Sequence, residues 1–257
     1  MTERAGKIYF ASDFHLGAPD LASSHEREKR IVRWMDSIKT DCAELFLVGD
    51  LFDAWYEYKR VVPKGFVRLL AKIAEFTDAG IPVHIFSGNH DVWMFGYLTD
   101  ECGAKIYHQP LQREWNGKKF FIAHGDGLGP GEGRYKFMKA GFRNKILQWI
   151  YSRFHPNFGL WLANYFSGKG YEKKESQNKY FGDEKEYLMQ FCKSTLTKEH
   201  FDYFVFGHRH LPLEKEVSAN SHYINLGDWL KYNSFGVFDG EKLELKTFEG
   251  FDTARQG

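Results

Sequence analysis

Short apolar runs alternate with longer stretches of helical spacing through the first part of the chain. Lys7–Ala11 (KIYFA) is a compact run of β-forming residues that ends at a polar cluster. Residues 25–39 then carry Ile31, Trp34, Met35 and Ile38 at the spacing of one helical face. Residues 44–48 (ELFLV) predict a buried strand, and 62–79 predict a second helix stopped by Gly80 and Pro82. Val83–Phe86 completes a β-α-β-α-β rhythm, the pattern of strands sandwiched between helices.

Beyond that point the pattern changes. Leu111–Trp115 and Lys118–Ala123 flank Asn116-Gly117, a dipeptide that favours the tight turn of a β-hairpin. Further runs at Tyr203–Phe206, 223–226, Ser234–Phe238 and 242–248 have little helical pattern between them, and Asp239-Gly240 marks the last turn. They predict a second sheet packed on the first, with helices outside.

Residues 133–171 do not share this rhythm. They contain no Asp or Glu, but seven Lys or Arg and eleven aromatic residues. This stretch reads as helical insertions broken by Pro156, followed by a polar passage over 172–185 and a helix over 184–196. The expected organisation is one domain over 1–257, with 133–185 inserted as a helical cap.

Composition narrows the function. Apolar residues are 43% of the 257 and charged residues 27%, so wholesale disorder is excluded. Lys plus Arg total 35 against 34 Asp plus Glu, and a net charge of +1 makes no case for a nucleic-acid partner. Cys42, Cys102 and Cys192 are widely spaced and form no CxxC pair, which points to a reducing compartment. The apolar run before Asp13 is too short for a secretory leader, and no apolar stretch reaches the about 18 residues of a membrane span. A cytoplasmic protein that at most lies on a membrane is expected.

The chemistry sits where strands hand over to loops. Asp13-Phe14-His15 follows the first strand, Gly49-Asp50-Leu51-Phe52-Asp53 the second and Gly88-Asn89-His90-Asp91 the third. His124-Gly125-Asp126 follows the hairpin, and Gly207-His208-Arg209-His210 follows Tyr203–Phe206. In open α/β sheets that rim is where ligands bind. Singly, each group could be a turn, a cap or a surface histidine; five in this order point to metal. Imidazole mixed with carboxylate-type oxygen suits Mn, Fe or Zn better than Ca or Mg. Seven ligands exceed one ion's needs but suit two ions sharing a carboxylate, a recurrent device for phosphoryl chemistry. His25, His84, His108, His200 and His222 fit no ligand spacing and are expected to be structural or surface residues.

The series DFH, GDLFD, GNHD, HGD and GHRH resembles the signature of the calcineurin-like metallophosphoesterases, from Asp13 to His210. The resemblance implies a four-layer α/β sandwich, two mixed sheets flanked by helices. It implies two metals, one held by Asp13, His15, Asp50 and His210, the other by Asp50, Asn89, His124 and His208. His90 is then expected to contact the scissile phosphate with Asp91 orienting it, and Asp53 and Asp126 to hold ligands in place. Mn²⁺ is the ion on which the donor set and the resemblance agree.

The DxHLG opening, GDLFDAW, HGDG before a basic insertion, and NLGDW near Asp228 are similar to the branch of that family that hydrolyses UDP-2,3-diacylglucosamine in lipid A synthesis. Two positions depart from it: His90 stands where Arg is usual, and Arg209 where Thr is usual. The branch implies attack of a metal-bound hydroxide on the pyrophosphate, giving UMP and 2,3-diacylglucosamine 1-phosphate. Asn89, His90, Tyr135, Lys174, Ser176 and Lys179 are its implied substrate contacts. The aromatic, basic insertion suits an anionic amphiphile and an anionic membrane surface at the cytoplasmic face of the inner membrane. The alternatives are a phosphoesterase acting on a soluble nucleotide or phosphate ester, and an inactive metal-binding scaffold.

Overall fold

The computed structural model describes residues 6–130, 141–174 and 180–249, without the side chains of 168–174. The first sheet has six strands. β1 (Lys7–Ala11), β2 (Cys42–Leu47), β3 (Val83–Phe86) and β4 (Lys105–Tyr107) lie side by side and parallel. β10 (Ser234–Phe238) pairs antiparallel with β1, and β11 (Leu243–Thr247) pairs antiparallel with β10. The second sheet runs β5 (Leu111–Trp115), β6 (Lys118–Ala123), β7 (Tyr203–Phe206), β9 (Ser221–Leu226), β8 (Pro212–Ser218). Its three inner strands are parallel and its two edges antiparallel.

The inner strands are mainly apolar because both of their faces are covered. Successive side chains point to opposite faces. Ile8 and Phe10 of β1 therefore meet Phe120 and Ile122 of β6 between the sheets. Tyr9 and Ala11 instead join Ile31, Trp34 and Met35 of α1 (Leu21–Ile38) and Leu69, Ile73 and Phe76 of α2 (Val67–Asp78). On the far side, Leu188, Met189 and Cys192 of α6 (Tyr187–Leu196) cover Phe121, Phe204 and Phe206. The result is four layers: helices, sheet, sheet, helix.

Element ends differ from the sequence pattern for local reasons. α1 starts at Leu21 because the Asp20 carboxylate caps it, accepting from the Ser23 amide at 2.9 Å. α2 starts at Val67 rather than 62, since Pro63 disfavours helix at the residue before it and Phe66 sits at φ 58°. β4 and β8 escaped the pattern. One is three residues long, and the other (PLEKEVS) is a half-exposed edge with few apolar positions.

α3 (Tyr97–Asp100) is a single turn, and α4 (Lys145–Tyr151) is capped by the Asn144 side chain, which accepts from the amides of Ile146 and Leu147. Pro156 begins α5 (Pro156–Lys174), a position where its missing N–H costs nothing. Tyr56 donates to the Gln148 carbonyl, and Trp93 Nε1 to the Phe142 carbonyl, both at 2.9 Å. These bonds fasten residues 142–148 to the loops that follow β2 and β3.

Candidate metal centre

Each group of candidate ligands leaves a strand through a loop that bends sharply. Asp13 follows β1, Asp50 follows β2, and His208 and His210 follow β7. Asp13, His15, Asp50, His208 and His210 all lie in the left-handed region, at φ of 55°, 44°, 53°, 68° and 52°. For residues other than glycine this conformation is strained and persists only where the surroundings enforce it. Here the loops are stitched together: the Asp13 amide donates to the Gly49 carbonyl and the His15 amide to the Asp50 carbonyl. Gly88 and Gly207 are required by close approach, because a Cβ at Gly88 would strike Asp50 and one at Gly207 would strike Asp13.

Two clusters share Asp50. In the first, Asp13, His15, Asp50 and His210 are all buried, with one ligand atom from each within 4.8 Å of the others. In the second, Asp50 meets His124 and His208. Asn89 joins it, with Oδ1 3.3 Å from His124 Nε2. Asp13 Oδ1 and Asp50 Oδ2 are buried and accept no hydrogen bond among the described residues. Yet imidazole nitrogens of His15, His124 and His210 stand only 3.2–3.6 Å from them. His15 Nε2 and His210 Nε2 are 3.1 Å apart. Buried lone pairs turned toward a common point suit a cation, and the oxygen and imidazole set suits a first-row divalent ion.

The far nitrogens fix the rings. Nδ1 of His15 faces Asp53 Oδ1 at 3.3 Å, Nδ1 of His124 faces the Val48 carbonyl at 2.8 Å, and Nδ1 of His210 faces Asp228 Oδ2 at 3.4 Å. A proton held there leaves Nε2 as the ligand atom. Asp228 had been noted only within NLGDW, and its role appears only once β9 places it behind His210. Asp126 acts on His124 through its charge, with no hydrogen bond between them among the described residues.

Charge follows this arrangement. Burial opposes ionisation of Asp13 and Asp50, but His210 beside the first and His124 beside the second hold both carboxyls well below the usual range. Burial likewise opposes the imidazolium at His124 and His210. Asp50 nonetheless raises His124 to about 10, and Asp13 raises His210 to about 9. Burial lowers His15.

His90 stands at one end of the centre, its amide donating to Asp50 Oδ1 at 2.9 Å. Its Nδ1 lies 3.0 Å from Ser167 Oγ of α5, and that hydroxyl donates to Asp53 Oδ2 at 2.8 Å. Sequence offered no signal for Ser167, more than a hundred positions from Asp53. The Asp91 carboxylate accepts from the amides of Gly88 and Leu51, both at 2.7 Å, rather than from the His90 ring. It orients the loops that carry Asp50 and Asn89, and burial, then Asp50, pushes its pKa up to about 7. Of the other expected substrate contacts, Tyr135, Ser176 and Lys179 lie outside the described residues, as does the side chain of Lys174. Arg209 forms a buried ion pair with Glu186, its Nε 3.1 Å from both carboxylate oxygens, which ties the loop of His208 and His210 to the start of α6.

The family model for calcineurin-like phosphoesterases matches residues 6–212. A UDP-2,3-diacylglucosamine hydrolase of Porphyromonas gingivalis is 38% identical over 96% of this chain and 99% of its own. One of Shewanella pealeana is 24% identical over 93% of this chain and 97% of its own. Among solved structures, the phosphoesterase Yfce of E. coli aligns over 94% of this chain and 92% of its own, at 16% identity and a TM-score of 0.47. The P. gingivalis relative runs almost end to end and the family match takes in every strand and loop that carries a candidate ligand, and the chain belongs to the calcineurin-like phosphoesterases, which are metal-dependent hydrolases.

Proposed function

We propose that the protein hydrolyses the pyrophosphate of UDP-2,3-diacylglucosamine to UMP and 2,3-diacylglucosamine 1-phosphate. The observation that carries this reading is the apolar surface of α4 and α5 joined to the metal centre through Ser167. Trp149, Trp161 and Phe166 are 58%, 57% and 66% exposed, and Leu147, Ile150 and Phe158 are exposed beside them. Phe158, Trp161 and Tyr165 stack in succession at centroid spacings of 5.8 and 5.7 Å. A soluble phosphate ester has no use for such a surface. A diacyl sugar does, since each buried methylene is worth about 0.8 kcal/mol. The P. gingivalis relative, matched almost end to end, carries the same activity in its name.

Asp13, His15, Asp50 and His210 would hold one ion in this reading, and Asp50, Asn89, His124 and His208 the other, with Mn²⁺ the ion on which the donor set and the family resemblance agree. Bound ions supply Lewis acidity and a water of lowered pKa. The protein's own part is orientation. Asp53, the Val48 carbonyl and Asp228 hold three imidazoles with Nε2 inward, and Asp91 holds the two loops in register. His90, its Nδ1 3.0 Å from Ser167 Oγ, stands beside the shared carboxylate where an imidazole can act on a phosphoryl oxygen, to stabilise charge or donate a proton. Residues 133–185 act as a cap whose ridge takes the acyl chains. Arg153, stacked over Trp149 at 4.7 Å, adds charge for an anionic membrane at the cytoplasmic face. The contact in this reading is peripheral; no helix among the described residues is long and apolar enough to cross a membrane.

The test is mass spectrometry of purified protein with Mn²⁺ and UDP-2,3-diacylglucosamine in detergent micelles. UMP and the diacyl sugar phosphate are the expected products. Turnover of a chromogenic phosphodiester without any turnover of the lipid nucleotide would defeat the substrate assignment, and no turnover of either would leave a scaffold.

A further inference from the structure

A cavity of about 550 Å³ opens beside the second ligand cluster, with His124 and Asp126 at its inner end. Its walls are the ends of strands from both sheets: Phe86 and Ser87 at β3, Tyr107 and His108 at β4, and Ala123 at β6. The volume falls within the roughly 300–1,000 Å³ of small-molecule sites.

The direction in which it opens is informative. Ser167, on the helix that carries the aromatic ridge, reaches the centre at Asp53 and His90, beside the first cluster. The cavity reaches it at His124, in the second. A pyrophosphate lying across the centre would have room for its two substituents on different sides, one toward the helix of Ser167 and the other toward the cavity.

The groups in the cavity suit a nucleoside rather than an acyl chain. Tyr107, half-buried and backed by the core residue Phe86 at 5.2 Å and 23°, puts an aromatic ring in the wall, a surface of the kind on which bases pack. At the rim Arg143 donates to the His108 carbonyl, which fixes a guanidinium that has further N–H donors to offer. Ser87 Oγ lies 3.0 Å from His108 Nδ1 and steadies the same loop. Gln109, exposed on that loop, can both donate and accept. Uracil presents two carbonyl acceptors and one N–H, a match for Arg143 and Gln109. Cytosine replaces one carbonyl with an amine donor that a guanidinium cannot meet.

Resting on the proposed substrate, we infer that this cavity is the nucleoside subsite, with Arg143 and Gln109 reading the uracil. Calorimetric titration of UMP into the Mn²⁺-loaded protein tests it, beside Arg143→Ala and Gln109→Ala. Both residues are on the rim and outside the hydrophobic cores, so the variants should fold. Arg143→Ala is expected to weaken UMP roughly tenfold and to leave 2,3-diacylglucosamine 1-phosphate within about twofold. UMP should bind the unaltered protein more tightly than CMP, and the difference should shrink in Arg143→Ala. UMP affinity indifferent to both variants would place the nucleoside elsewhere, and equal losses for both products would mean that Arg143 acts through the fold. Either result overturns the assignment. Turnover of UDP-2,3-diacylglucosamine on the same samples separates the two claims. Turnover with indifferent UMP binding sinks only the subsite, whereas Arg143-dependent UMP binding without turnover keeps the subsite and sinks the substrate.

Discussion

The loops of the metal centre and the helices that reach over them hold their side chains under opposite conditions. In the loops, polar groups are buried. Asp13, His15 and Asp50 have no exposure, and five candidate ligands sit in a strained backbone region. In α4 and α5, apolar groups are exposed, with Trp149, Trp161 and Phe166 all more than half open to solvent. Both arrangements cost free energy in the isolated chain, and a bound species relieves each. A cation relieves the first by meeting the converging lone pairs. Apolar chains, in the proposed reading, would relieve the second by covering the rings. The two regions touch at Ser167.

Breaking the shared carboxylate should have the largest effect. Asp50→Asn is expected to lose both ions and about 10⁴-fold in turnover, since metal charge supplies several kcal/mol to the transition state. His210→Ala should mainly weaken one ion. Metal analysis with kinetics checks both, and two ions with near-normal turnover in Asp50→Asn would dissolve the idea of a bridge.

His90→Ala should keep both ions and lose about 10²–10³-fold, mostly in kcat. His90→Arg should retain part of the rate, because a guanidinium can supply the same positive charge. An unchanged kcat would make the histidine structural.

The pH dependence of ion binding probes the buried side of the comparison. In the ion-free chain His124 is raised to about 10 and His210 to about 9. Below those values each carries a proton on the nitrogen an ion needs, so binding must expel it. Each ion displaces one such proton, so its affinity should rise with pH by up to about tenfold per unit and level off above the raised value of its own histidine. Calorimetry at neutral pH in two buffers of different ionisation enthalpy should show that release. Its absence would mean that the imidazoles are already neutral.

The smallest effect concerns the exposed side. Trp149→Ala or Trp161→Ala should raise KM for the lipid nucleotide roughly tenfold while hydrolysis of a small chromogenic phosphodiester stays nearly normal. Equal losses on both substrates would turn the ridge into ordinary packing.

Much of this was legible from local pattern. The strand runs Lys7–Ala11 and Val83–Phe86, the hairpin at Asn116-Gly117 and the ligand groups at strand ends all rest on neighbours in sequence. β8 was not legible, because its half-exposed edge has no continuous apolar run, and neither was the Phe66 turn that delays α2. In the sequence Asp91 stands beside His90, which suggests that it orients the ring. In the fold its carboxylate turns toward the amides of Gly88 and Leu51.

The sequence by itself determined which atoms are available to a metal, because residue type sets donor chemistry and the strand-to-loop pattern sets where donors collect. It also determined the layers, because burial on two faces demands continuous apolar runs. Only the tertiary structure decided which nitrogen of each histidine points inward, since that depends on Asp53, the Val48 carbonyl and Asp228 arriving from other strands and loops. It alone set Ser167 against His90 and opened a cavity between the ends of β3, β4 and β6. Such contacts join residues far apart in the chain, and their geometry is fixed by how the layers pack, which no local pattern encodes.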